Sequence, residues 1–247
     1  MPRVRADQLV VERGLAESRE RAQRLIMAGQ VFSGTLRLAK PAQMLDPAAP
    51  LAVQTPPRFV SRGGEKLQAA LDAFAIVPRG RACLDLGAST GGFSDCLLQA
   101  GASQVIAVDV GRAQLHQKLR DDPRVTLMEG VNARALPEIA GPVRLFVADL
   151  SFISLRKVLP SVAARLAAGC EGVVLLKPQF EAGPADVPRG GVIREPAIRE
   201  RVLNGFLAWL GEHGWPVQGW IECPVRGGDG NIEYLVHLHT PGEGVTC

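Results

Sequence analysis

The sequence predicts an α/β protein: a seven-stranded, mostly parallel sheet wound with helices and preceded by a small α+β unit. Three observations predict it. From Arg81 onward, short apolar runs alternate with longer amphipathic stretches, the pattern of successive β-α units. The first run passes directly into the turn Gly87-Ala88-Ser89-Thr90-Gly91-Gly92 and then into a helical pattern, the kind of junction at which open α/β sheets bind ligands. Aromatic residues make up 5% of the 247 residues and glycine occurs 27 times, so the core rests on Leu, Val, Ile and Ala between tight turns.

In chain order, residues 5–34 read as two short helices stopped at Gly14 and Gly29. Ser18 is placed to cap the second, whose stripe of Ala22, Leu25 and Ile26 leaves Arg21 and Arg24 outside. Loose alternation between Val31 and Val53, broken by Gly34, Pro41, Pro47 and Pro50, predicts short strands and turns, and Pro56-Pro57 closes the unit as a stiff linker. In the body, strands are expected at 82–86, 104–109, 124–128, 144–149, 172–176, 217–223 and 232–238, with helices at 64–75, 92–100, 155–167 and 196–213. Only a glycine-rich turn separates the last two strands, so they should pair antiparallel.

Charge is unevenly spread. Residues 1–60 hold nine Lys/Arg against five acids, a net of +4 within a chain total of +3, leaving −1 for the remainder. A basic head on a near-neutral body suits a polyanion, and a solvated helix face produces the same run. No apolar run approaches the roughly 18–20 residues that span a bilayer, and residues 1–30 lack a signal-peptide apolar core, so a cytoplasmic protein is expected, with no membrane partner. Cys83, Cys96, Cys170, Cys223 and Cys247 are odd in number and never form a C-x-x-C pair, which argues against a disulfide scaffold or a zinc ribbon. His116, His213, His237 and His239 share no ligand spacing with nearby cysteines or acids, so no metal is expected, and His237 and His239 read as surface residues.

The loop from Gly87 to Phe93 departs from the G-x-G-x-x-G of dinucleotide sites. Asp85, just before it, would repel a pyrophosphate but could bond an ammonium or a well-placed backbone group, so an amino-acid-bearing nucleoside is the better tenant and S-adenosylmethionine is favoured. Asp109, 22 residues after Gly87 at the end of the next strand, can accept both hydroxyls of a ribose, a position shared with dehydrogenases. Asn132 is placed either to contact adenine or to cap a turn. Asp149 and Lys177 end parallel strands and should face the pocket mouth. A lysine directly after Val-Val-Leu-Leu is costly to desolvate unless paired, and Asp149 is its candidate partner, in a structural ion pair or a functional one. Phe152 and Phe180 flank these loops; core packing is the expected use, stacking on a flipped base the alternative. Gly190-Gly191 and Gly227-Gly228 mark expected mobile loops.

The stretch from Arg5 to Gly34, followed by Lys40-Pro41, resembles an S4-type RNA-binding domain, which implies RNA contacts from Arg3, Arg5, Arg19, Arg21, Arg24 and Lys40. The glycine loop and strand pattern resemble the Rossmann-like class I methyltransferase fold. Lys66 in SRGGEKL, Asp149 in ADLSFIS, Lys177 in KPQFE and Glu233 in GNIEYL look like the K-D-K-E tetrad of FtsJ-like ribose 2′-O-methyltransferases. With the S4-like head in front, residues 3–239 resemble the TlyA family of ribosomal RNA methyltransferases, which also carries the name hemolysin. The resemblance implies S-adenosylmethionine-dependent 2′-O-methylation of cytidine, with ribosomal RNA or ribosomal subunits as partner. An S4 match that begins by Arg5 favours the large-subunit type and leaves the small subunit open. It divides the chain into an S4-like domain at 1–57, a linker at 58–61, a methyltransferase domain at 62–240 and a tail at 241–247. The rival reading is a non-catalytic RNA-binding or ribosome assembly factor, distinguished by whether the four tetrad residues converge beside the pocket of Asp85 and Asp109. A nicotinamide dehydrogenase is disfavoured by the loop, and a pore-former by the lack of a spanning or broad-faced amphipathic helix.

Overall fold

In the computed structural model, which describes residues 3–54 and 57–242, the chain divides into two units at Arg58 and Phe59. Thr55-Pro56 and the end of the expected tail, 243–247, lie outside the described residues.

The smaller unit runs β1 (Val4–Arg5), α1 (Ala6–Glu12), α2 (Arg19–Met27), β2 (Val31–Ser33), β3 (Leu36–Arg37), β4 (Met44–Leu45) and β5 (Leu51–Val53). β1 pairs with β4, and β2 is flanked by β3 and β5, all antiparallel. Ser18 Oγ accepts from the Arg21 amide and starts α2, and Ala22, Leu25 and Ile26 bury against Leu9, Val10, Val31 and Leu38. Arg21 and Arg24 remain exposed on the wall of a groove of about 470 Å³.

Asp7 changes the expected arginine face. Its carboxylate is buried and accepts from Arg5, Arg19 and Gln23, bonding α1 to α2, and the Arg5 guanidinium holds it far below the usual carboxylate range. Arg5 and Arg19 therefore hold this unit together, whereas Arg3, Arg21, Arg24 and Lys40 stay exposed.

The larger unit runs α3 (Gly63–Ala73), β6 (Ala82–Leu86), α4 (Gly92–Gln99), β7 (Gln104–Asp109), α5 (Gln117–Arg120), β8 (Val125–Glu129), β9 (Leu145–Ala148), α6 (Leu159–Ala163), β10 (Glu171–Leu176), α7 (Pro178–Glu181), α8 (Pro196–Glu212), β11 (Val217–Glu222) and β12 (Tyr234–His239). The strand order is β11-β12-β10-β9-β6-β7-β8, with β6 to β10 parallel and β12 antiparallel to both neighbours. Alternate residues of the central strands feed two cores. Leu84, Leu86, Phe146, Val174 and Val236 face α6 and α8, while Cys83, Leu145, Val147, Val173 and Leu235 face α3 and α4. Phe59 and Val60, within the expected linker, belong here: Phe59 is buried beside α3 and the Val60 amide donates to buried Asp95.

The helix expected at 155–167 is interrupted. A 3₁₀ turn at Leu155–Lys157 precedes α6, where Pro160, lacking an amide proton, fits only a first turn, so the helix restarts there. The two glycine loops expected to be mobile are tied together by buried Asn231, which accepts from the Ile193 amide and donates to the Gly191 carbonyl.

Candidate active site

Strand order reverses between β6 and β9, and the carboxyl ends of β6, β7, β9 and β10 surround the crevice outside that point. Two cavities open there, of about 240 and 470 Å³, with Gly87, Ser89, Asp149 and Ser151 as a common wall.

The glycine loop shapes both cavities. Gly87 has φ +83° and a Cβ there would lie 2.4 Å from the Asp149 carbonyl oxygen, so the loop approaches the end of β9 more closely than any side chain permits. Gly91, at φ +100°, is turned from the cavities toward Leu119 and serves as the left-handed entry to α4. At Gly92 a Cβ would meet Ser61 Oγ and the Gly64 amide, so α4 and α3 pack in backbone contact and bring Lys66 to the smaller cavity. Ala88, Ser89, Thr90, Gly92 and Phe93 line that cavity with Lys66, Asp149 and Lys177.

Asp109 lines the larger cavity while Oδ2 accepts from the Ser89 amide at 2.8 Å and Oδ1 from the Gly111 amide at 2.6 Å, which knits the glycine loop to the end of β7. Asn132 caps the turn, its Oδ1 accepting from the Arg134 amide, and the residue also lines the larger cavity.

Asp85 departs from the expectation that it faces a ligand. It is fully buried, lines neither cavity, accepts from Ser94 Oγ at 2.6 Å and leaves Oδ1 without a hydrogen bond. Burial pushes its carboxyl up to about 7 against the lowering effect of Ser94. A raised folded-state pKa means that stability from this proton is complete below the unfolded value near 4 and is lost as pH rises through about 7. Asp85→Asn should therefore remove a fall in stability between pH 4 and 8, raising the unfolding midpoint at pH 8 far more than at pH 4. Parallel pH profiles for variant and wild type in thermal denaturation would contradict this.

The four tetrad residues form two ion pairs. Lys66 Nζ donates to Glu233 Oε2 at 2.5 Å, with side chains 9% and 2% exposed. Lys177 Nζ lies 2.6 Å from Asp149 Oδ1, an ion pair without hydrogen-bond alignment, and donates to Ser151 Oγ at 2.9 Å. Lys66, Asp149 and Lys177 share the smaller cavity, and Glu233 stands behind Lys66.

Three residues near these pairs were not assigned from sequence, or were assigned differently. Ser151 is the Lys177 partner just described. Glu181, its side chain 2% exposed, accepts from Ser154 Oγ and the Leu155 amide and so anchors the end of the loop that carries Asp149 and Ser151; burial raises its carboxyl pKa. Phe152, expected in the core, is 90% exposed with φ +64°, lines the larger cavity and packs 5.1 Å from the Phe180 ring. An exposed aromatic side chain on a strained backbone belongs with the site-associated outliers, and Ser89 at φ +49° is another on the same wall.

Comparison with known proteins bears on both units. The model of the FtsJ-like methyltransferase family matches residues 59–240, and that of the S4 domain matches residues 4–49. A 16S/23S rRNA (cytidine-2′-O)-methyltransferase named TlyA, from Mycobacterium tuberculosis, is 47% identical over 242 residues, covering 96% of this chain and 90% of the relative. A solved structure from Streptococcus thermophilus, provisionally named a hemolysin, is 42% identical, covers 100% of this chain and 93% of its own, and superposes with a TM-score of 0.73. At fold level, an S-adenosylmethionine dependent methyltransferase from Mesorhizobium loti superposes at TM-score 0.52 with 18% identity, covering 70% of this chain and 97% of that one.

Proposed function

Since the chain belongs to the FtsJ-like methyltransferase family, we propose that it transfers a methyl group from S-adenosylmethionine to the ribose 2′ oxygen of a cytidine in ribosomal RNA, its S4 domain engaging the RNA. The observation that carries the reading is the meeting of Lys66, Asp149 and Lys177 with the glycine loop around one cavity, with Glu233 paired to Lys66.

The residues of the larger cavity fit the nucleoside. Gly87 lets the loop close directly against the end of β9, Asp109 and Asn132 supply acceptors, and Val108, Val131 and Ile153 supply apolar walls. Because the Asp109 oxygens already accept from two amides, the carboxylate is held rigidly for a ribose and uses its remaining lone pairs. When bound, S-adenosylmethionine supplies a methyl group made electrophilic by the sulfonium charge. The protein must orient a weak hydroxyl nucleophile and stabilise the negative charge that grows on it as its proton passes to water. Lys177, steadied by Asp149 and Ser151 at the cavity wall, presents its ammonium for that task. Lys66, neutralised by Glu233, shapes the position of the ribose. Phe152 offers an exposed ring on which the target base can stack.

The experiment is incubation of the protein with methyl-labelled S-adenosylmethionine and purified ribosomal subunits. RNA of a subunit should acquire the label; no transfer to either subunit or to free ribosomal RNA would favour the non-catalytic binding factor. In the S4 domain, Arg21→Gln with Arg24→Gln should weaken RNA binding and reduce the slope of log affinity against log salt by up to roughly two, one unit for each lost phosphate contact. An unchanged slope would place the RNA on another face.

A further inference from the structure

Glu171 opens β10, and the antiparallel register sets it directly opposite His239 of β12, two residues along from His237. The three side chains share one face of the sheet, and one ligand atom from each lies within 4.8 Å of the others. Sequence spacing hid this cluster because the acid stands 66 residues from the nearer histidine. His237, expected at the surface, is buried under the Phe74 ring, with centroids 5.2 Å apart. On the other side of His237 stands Gly219 of β11, which contributes no side chain to the space.

We propose that Glu171, His237 and His239 form a site for a divalent transition metal of the zinc class, with solvent completing the coordination. Two imidazoles and one carboxylate are a ligand set that Zn²⁺ takes with an open fourth position. The strand pair holds all three donors on a rigid ladder, so little ordering accompanies binding. Glu171 is divided in the way that a monodentate ligand requires: Oε2 accepts from Arg81 Nη1 at 2.5 Å, while Oε1 faces His237 Nε2 at 2.9 Å. Arg81 is thus the outer partner that fixes the carboxylate, and it is itself anchored on the Arg144 carbonyl. His239, partly exposed, gives the ion a route from solvent. Glu171 lies six residues before Lys177 along β10, roughly 20 Å at 3.3 Å per residue, at the end of the sheet away from the catalytic mouth, so the ion would brace the β10-β12 pair.

The test is titration of the full chain, free of any histidine tag and stripped with chelator, with Zn²⁺ alone, followed by calorimetry. One equivalent should bind to wild type and to His213→Gln, and binding should be lost in His239→Gln and His237→Gln. Because a strand variant can misfold, the second measurement uses wild type: Zn²⁺ should shift the ring proton–nitrogen correlations of His237 and His239 and leave those of His116 and His213 in place. Co²⁺ in the same site should show a visible spectrum without thiolate charge transfer, which separates it from the cysteines. Absence of saturable binding to wild type, binding that persists in His239→Gln, or shifts at the wrong histidines would overturn the proposal.

Discussion

Lys177→Ala should lower the rate of methyl transfer by roughly 10²–10³-fold while leaving S-adenosylmethionine affinity near the wild-type value. The magnitude is that of removing one donor aimed at a developing oxyanion in a water-poor site. The separation of effects follows from the layout. Lys177 lines the smaller cavity, whereas Asp109, Asn132 and the apolar walls line the larger one, so the variant leaves the nucleoside contacts in place. Single-turnover methyl transfer and equilibrium cofactor binding measure the two halves separately. Near-wild-type turnover would remove Lys177 from the chemistry, and a parallel loss of cofactor affinity would give it a binding role instead.

Glu233→Ala should be the most destabilising of the tetrad substitutions. It leaves the Lys66 ammonium buried without its partner, and breaking a buried pair from one side typically costs about 3–5 kcal/mol. For a unit of this size that corresponds to a drop in the unfolding midpoint on the order of 10 °C. The comparison that isolates the cause is Lys66→Met with Glu233→Leu, which removes both charges and should recover most of the lost stability while remaining inactive. A single variant that melts with wild type would mean that Lys66 finds water or another acceptor, and the ion pair would lose its structural role.

The contrast between what was and was not legible in the chain has a physical basis. Buried parallel strands carry nearly unbroken apolar runs, so β6, β7, β9 and β10 fall within a residue of their expected bounds, and the turn between β11 and β12 leaves no alternative to antiparallel pairing. α5 and α7 contain four residues each, too few to display a period, and the break before α6 depends on Pro160. At the site, Asp149 and Lys177 were readable because strand ends in such sheets face the crevice. Ser151 and Glu181 were not, because each acts through a partner 26 or more residues away, brought close by the β9 and β10 ends. Asp7 meets Arg5 two residues before it, but only the packing of α1 on α2 brings Arg19 and Gln23 to the same carboxylate, and no local pattern displays that. Phe152 followed the rule that aromatic side chains are buried, and the positive φ that turns it outward leaves no mark in composition.

If the methyl group goes to a ribose oxygen, identification of the methylated atom shows it most directly. Ribosomal RNA from subunits treated with wild-type protein or Lys177→Ala would be digested to nucleosides and resolved by mass spectrometry, with the position mapped by a primer-extension stop sensitive to 2′-O-methylation. 2′-O-methylcytidine should appear at a discrete position, formed by wild type and lost in the variant. A methyl group on a base, or 2′-O-methylcytidine formed equally by Lys177→Ala, would contradict that expectation.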